Sequence, residues 1–123
     1  MLKSSKMKYS LKETKEDYSY FEITGIYSLD EGKKMIEEIY NHCMENKIHK
    51  LLVDITKKDG IIPNFDRFVL GELIAKLFSF RIKLAVIGKK DQINKFSETV
   101  AHNRGSQLFI FSDKTEALEW LMK

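Results

Sequence analysis

Cysteine occurs once in this chain, proline once and glycine six times among 123 residues, and each scarcity excludes something. A lone Cys43 cannot form an intramolecular disulfide, which argues against a disulfide-stapled scaffold and for a reducing, cytoplasmic setting. So few prolines and glycines leave little room for linkers, and residues 1–123 are expected to form one domain, large enough to bury a core unaided. No apolar run reaches the length of a membrane span, and no apolar stretch follows the early lysines. Neither stable membrane insertion nor a secretory signal is therefore expected. Charge of one sign is also scarce: the formal net charge is +3, and lysines interleave with acids along the helices. That balance favours solubility over capture of a polyanion. The basic residues do not alternate with aromatics in a strand motif of the nucleic-acid-binding modules, so no nucleic-acid partner is expected.

Motifs that carry chemistry are equally sparse. No two of His42, His49 and His102 stand at the three- or four-residue helical spacing that would aim two imidazoles at one ion. His42 and Cys43 are neighbours in a helical pattern and point about 100° apart. No metal site is expected. Cys43 sits on an apolar stripe, which suits a buried small hydrophobe better than a nucleophile. Gly88-Lys89-Lys90-Asp91 places one glycine before a helix start, suited to an anion but far short of a dinucleotide fingerprint or a P-loop. The reading is of a non-catalytic chain without a cofactor.

What the chain does have is alternation. Three apolar runs, at 50–55, 82–88 and 107–111, alternate with helix-like segments through the second half. Near-continuous apolar strands indicate a sheet covered by helices, hence an α/β fold. Upstream, Met7–Lys15 and Tyr18–Thr24 read as an antiparallel hairpin. The lysines at 3, 6, 8, 12 and 15 suit a solvated edge strand, protected from pairing with another sheet. A helix from about Asp30 to Lys47 carries Leu29, Ile36, Ile39, Tyr40, Cys43 and Met44 on one face. Residues 56–64 form the longest irregular connection, with Asn64 as N-cap of a helix from Phe65 to Phe80. Asp91 is expected to cap a helix carrying Ile93, Phe96, Val100 and Ala101, and Asp113 with Glu116 forms a capping box for the last one.

The helix at 65–80 bears apolar residues over more than half its circumference, more than one sheet-facing stripe needs. Either the preceding loop and a neighbouring helix cover the surplus, or Phe65, Phe68 and Phe78 form an interaction face. Such a face would be a subunit contact or one wall of an apolar ligand site. In open α/β sheets, ligands gather at the carboxyl ends of strands. A candidate rim for a ligand or partner therefore contains Asp54, Thr56, Asn64, Gly88, Lys89 and Ser112, with Asp113 beside it. The competing structural reading of Asp54 is that it only accepts backbone N–H bonds from the following loop.

Leu51-Leu52-Val53-Asp54, Asp66-Arg67-Phe68 with Gly71-Glu72, Lys83 to Gly88, Asn103-Arg104-Gly105 and the tail from Phe111 to Leu121, in this order and spacing, resemble the SpoIIAA-like branch of the STAS domains. The resemblance implies a mixed, roughly five-stranded sheet with about four flanking helices, an amino-terminal hairpin followed by β-α repeats. It also implies a bacterial regulatory or protein-interaction module. In the anti-sigma-factor antagonists of that family, a serine after the Asp-ending strand is phosphorylated. This chain carries Asn64 there, and Thr56 lies too early, so a phospho-switch is not expected. The fold class also resembles lipid-transfer domains of the CRAL-TRIO type. The leading expectation is a module acting through a protein partner or a homodimer. The alternative is a carrier of a small molecule or lipid, with an apolar pocket beside the 65–80 helix.

Overall fold

The structure, a computed structural model, describes residues 6–94 and 96–123. The expectations for Lys3 and for the side chains of Phe96 and Ala101 lie outside the described residues. Glu16, at φ +53°, turns the chain between β1 (Lys8–Lys15) and β2 (Tyr18–Ile26), which pair antiparallel. β1 is exposed along its whole length and forms one edge of the sheet, where its lysines stand in water. Next come α1 (Leu29–Glu45), β3 (Lys50–Asp54), β4 (Lys58–Asp59), α2 (Asn64–Phe78), β5 (Lys83–Ile87), α3 (Phe96–Asn103), β6 (Gln107–Phe111) and α4 (Lys114–Met122). The strand order is β1-β2-β3-β5-β6, with every pair after the first parallel, while β4 extends the sheet beside the end of β2.

The pleat sorts side chains between two cores. Phe21, Val53, Val86 and Ile110 lie in register across four strands on the face covered by α1, α2 and α3. Their neighbours Tyr20, Leu52, Ala85 and Phe109 face α4. α1 is anchored by Ser28, whose hydroxyl accepts the Glu31 amide, and it buries Gly32, Met35, Ile39 and Cys43 toward the sheet. α4 starts at Asp113, whose carboxylate accepts the Glu116 amide, as the capping pattern predicts.

Four local expectations need correction. The 56–64 connection is not wholly irregular, because Lys58–Asp59 pairs in parallel with Gly25–Ile26. Pro63, not Asn64, precedes the first turn of α2, and its carbonyl accepts the Arg67 amide; Asn64 is already helical. Proline suits that position because its φ is fixed and its missing N–H is not needed. α2 ends at Phe78, where Ser79 turns to φ +49°, so Phe80 lies beyond it. Asp91 sits inside a 3₁₀ turn, Lys90–Gln92, and Ile93 precedes α3 rather than riding on it.

α2 is apolar nearly all round because it is the middle helix of three. Ile74 and Phe78 face the sheet, Leu70 approaches Gly32 of α1, and α3 lies along the other flank. Phe78 is only 2% exposed and stacks on Tyr40 at 5.8 Å, so it offers no subunit contact but forms part of the wall of an apolar cavity. Phe68 is half-buried beneath the Arg104 guanidinium, which also pairs with Glu72 at 2.8 Å. Of the three phenylalanines assigned to that face, Phe65 alone projects into solvent, at 71% exposure.

Candidate functional site

The layer between α1, α2 and the sheet is not filled. A cavity of about 150 Å³ lies there, walled by Ile23, Val53, Val86 and Ile110 of the sheet, Ile36 and Ile39 of α1, and Leu70 and Ile74 of α2. Native interiors contain few voids larger than a water molecule. An apolar space of about 150 Å³ admits one benzene-sized molecule.

Met7 forms part of the wall on the β2 side. Lys6 and Met7 cross Gly25 so closely that a Cβ there would lie 2.2 Å from the Lys6 carbonyl oxygen. Gly25 also holds φ +91°, a conformation that L side chains rarely adopt, so the crossing requires glycine twice over.

The cavity is polar at the end where the parallel strands finish. Lys58, Arg67, Lys89 and Gln92 line it there. β4 fixes Lys58, whose Nζ donates to the Gly60 carbonyl at 2.6 Å and reaches Gln92 Oε1 at 3.5 Å. Arg67 occupies the first turn of α2. Its guanidinium donates to the carbonyls of Ile62 (2.8 Å) and Gln92 (2.9 Å) and to Asn94 Oδ1 (3.3 Å). Burial, together with the charges of Lys89 and Arg67, pushes the Lys58 ammonium below its usual range, and Asp59 offsets little of this. Burial likewise lowers Arg67, which at neutral pH stays charged. Tyr27 closes the same end, donating its hydroxyl to Asp66 Oδ2 at 3.0 Å; burial holds that phenol well above its ordinary value.

The expected rim is divided by the sheet. Gly88 and Lys89 reach the cavity mouth, but the Gly88 amide already donates to the Phe111 carbonyl at 2.8 Å. Asp54 points to the α4 side, where Oδ1 accepts the Thr56 amide at 2.8 Å and the Thr56 hydroxyl at 2.6 Å. Those bonds match the structural reading of Asp54 and engage Thr56. Asn64 Oδ1 accepts from the Asn94 amide at 2.8 Å on the surface. Ser112 lines a separate shallow depression with Lys90 and Glu116. Cys43 is completely buried, and its thiol is pushed up to about 12 by that burial. Among the described residues, no group of three or more His, Cys, Asp or Glu could hold a metal ion, and no helix is long and apolar enough to cross a membrane.

Residues 16–121 match the model of a family described as a domain of unknown function, DUF4180. The chain belongs to the DUF4180 family. No curated protein matches it. Among solved structures, the DUF4180 chain is similar to an anti-sigma factor antagonist from Mycobacterium paratuberculosis, with a TM-score of 0.64 and 11% identity over 96% of each chain. It is also similar to an uncharacterised protein of the DUF3478 family with a SpoIIAA-like fold from Shewanella loihica PV-4. That match has a TM-score of 0.55 and 22% identity over 98% of this chain and 99% of the other. The DUF4180 chain therefore has a SpoIIAA-like fold, as its motifs imply.

Sequence reasoning passed over Lys58 and Arg67. Lys58 carries no signal of its own, because a lysine in a polar connection looks solvated. Arg67 does: Arg67, Gly71, Ile74 and Phe78 recur at steps of three and four, so the pattern that buries the helix buries the arginine too.

Proposed function

We propose that this DUF4180 domain is a non-catalytic regulatory module of STAS type that binds a small, largely apolar molecule in the cavity between α1, α2 and the sheet. The observation that carries this reading is the cavity itself, an apolar space of about 150 Å³ under the helix that dominates the covered face. The readout is a protein partner, in line with the similarity of fold to an anti-sigma factor antagonist. Ile61 and Phe65, both exposed, flank Ile62 and Arg67, which line the cavity, so occupancy and the partner-facing surface share one segment. A cytoplasmic setting fits the lone, sealed Cys43. The reading omits catalysis because Asp54 and Thr56 satisfy each other and the Cys43 thiol is inaccessible.

Native mass spectrometry of protein purified under mild conditions, with thermal shifts against small aromatic compounds and short-chain acids and alcohols, tests the proposal. The wild type is expected to retain or gain a ligand. A folded Val86→Phe variant, which fills the space from β5, is expected to lose that response. Equal responses in the two proteins would place the ligand elsewhere and end this reading.

A further inference from the structure

Three positive charges meet at one end of an otherwise apolar cavity: Lys58, Arg67 and Lys89. Lys58 is 2% exposed and Arg67 8%. Among the described residues, none of the three has a carboxylate within ion-pair distance. Asp59, next to Lys58, points to solvent, and Asp66 is occupied by the Tyr27 hydroxyl. The acceptors that do meet these cations are neutral: carbonyl oxygens of Gly60, Ile62 and Gln92 and side-chain oxygens of Gln92 and Asn94. Neutral acceptors hold the cations in position without cancelling their charge. Donor capacity also remains, since an ammonium has three N–H groups and a guanidinium five. Two acceptors meet Lys58 and three meet Arg67. A buried charge without a counter-charge is costly, and the cost is relieved by an anion bound beside it.

The geometry points to an amphiphilic acid as the ligand: a compact anionic head, carboxylate or phosphate, held by Lys58, Arg67 and Lys89, with an apolar body in the space beneath α2. This rests on the proposed use of the cavity and adds the head group to it. The body is short, about six carbons or one aromatic ring, because the apolar space matches a single benzene. Gln92 is a positioning residue. Its backbone carbonyl meets Arg67 and its side chain meets Lys58, so one residue of the 3₁₀ turn holds both cations at the mouth.

Titration calorimetry with hexanoate, hexyl phosphate, hexanol and acetate separates the contributions. Hexanoate or hexyl phosphate is expected to bind at least about tenfold more tightly than hexanol, the margin of a charge-assisted hydrogen bond. The tighter of the two acids identifies the head, and acetate is expected to give no measurable heat because it lacks the body. In Lys58→Met the acids should fall to the level of hexanol, with hexanol itself unchanged. Lys89→Met, on an exposed side chain at the mouth, provides the same comparison if Lys58→Met does not fold. Hexanol binding as tightly as the acids would overturn the anionic head and leave the apolar ligand standing. Acetate binding as tightly as hexanoate would reduce the site to a free-anion site and overturn the amphiphile. No binding by any of the four would remove this inference and the cavity reading together.

Discussion

Three helices cover one face of the sheet and enclose a cavity, whereas on the other face α4 alone lies across β3, β5 and β6. The α4 face is closed by close approach and by rings. Ala117 and Leu121 are completely buried against Leu52 and Ala85, and Trp120 meets Phe109 edge-on at 5.0 Å and Phe111 at 5.8 Å. Its cations are less deeply buried: Lys83, half-buried, lies over the Trp120 ring at 4.5 Å, and the exposed Lys114 and Lys57 meet the Tyr20 ring at 4.2 Å and Glu22 at 3.0 Å. The other face has more helix, yet it keeps both the void and the uncompensated charge. Close packing is therefore attainable in this fold, and among the described residues the buried cations, Lys58 and Arg67, gather beside the apolar cavity. Such local departures from good packing mark function more often than poor design.

Four measurements sharpen or break that contrast. Leu121→Ala, in the filled core, should cost about 2–5 kcal/mol in urea unfolding, the range for truncating a fully buried leucine. A loss well below that would mean that α4 is loosely seated and that the contrast is false. Adding volume should then divide the faces. Ala85→Leu, under α4, should destabilise by about 1–3 kcal/mol through overpacking, whereas Val86→Leu, one residue on and facing the cavity, should be neutral or stabilising.

Charge gives a smaller effect of opposite sign on the two faces. Lys58→Met should raise the stability of the ligand-free protein by about 1 kcal/mol, because it removes a buried charge that has no counter-ion. Lys83→Met should lower stability by about 0.5–1 kcal/mol through loss of the cation over Trp120. The smallest effect is in pH. Lys58 has a depressed folded value, set by burial and by Lys89 and Arg67, so above neutrality the folded state releases this proton before the unfolded state does. The unfolded chain then binds more protons, so relative to Lys58→Met the wild type should gain stability as pH rises toward the unfolded lysine value of about 10.4. Urea midpoints across that interval measure the difference. Tyr27, whose folded value is raised, withdraws stability from about pH 10 upward in both proteins, and that loss cancels in the comparison.

β3, β5 and β6 were legible in the sequence because their apolar runs are continuous, and the hairpin because Glu16-Asp17 separates two stretches of strand character. The site was less so. A rim at the carboxyl ends of the strands follows from parallel topology alone, but the pleat decides which side of the sheet each rim residue joins. Asp54 and Gly88 went to opposite sides for that reason. β4 was hidden because two residues of parallel pairing leave no periodicity to detect. Phe78 looked available because helical spacing measures how much of a circumference is apolar, not how many neighbours surround it. The cavity itself has no sequence signature, since it is made of what side chains fail to fill.

Gly25 turns part of that shape back into something readable as text. Because Lys6 and Met7 press against the place where a Cβ would stand, any other residue at this position must push the incoming chain off β2 and withdraw Met7 from the cavity wall. A relative that carries a side chain there would have a groove open along the β2 flank as well as at the mouth, and with it a different choice of guest. One letter can thus sort related chains by the kind of compartment they contain.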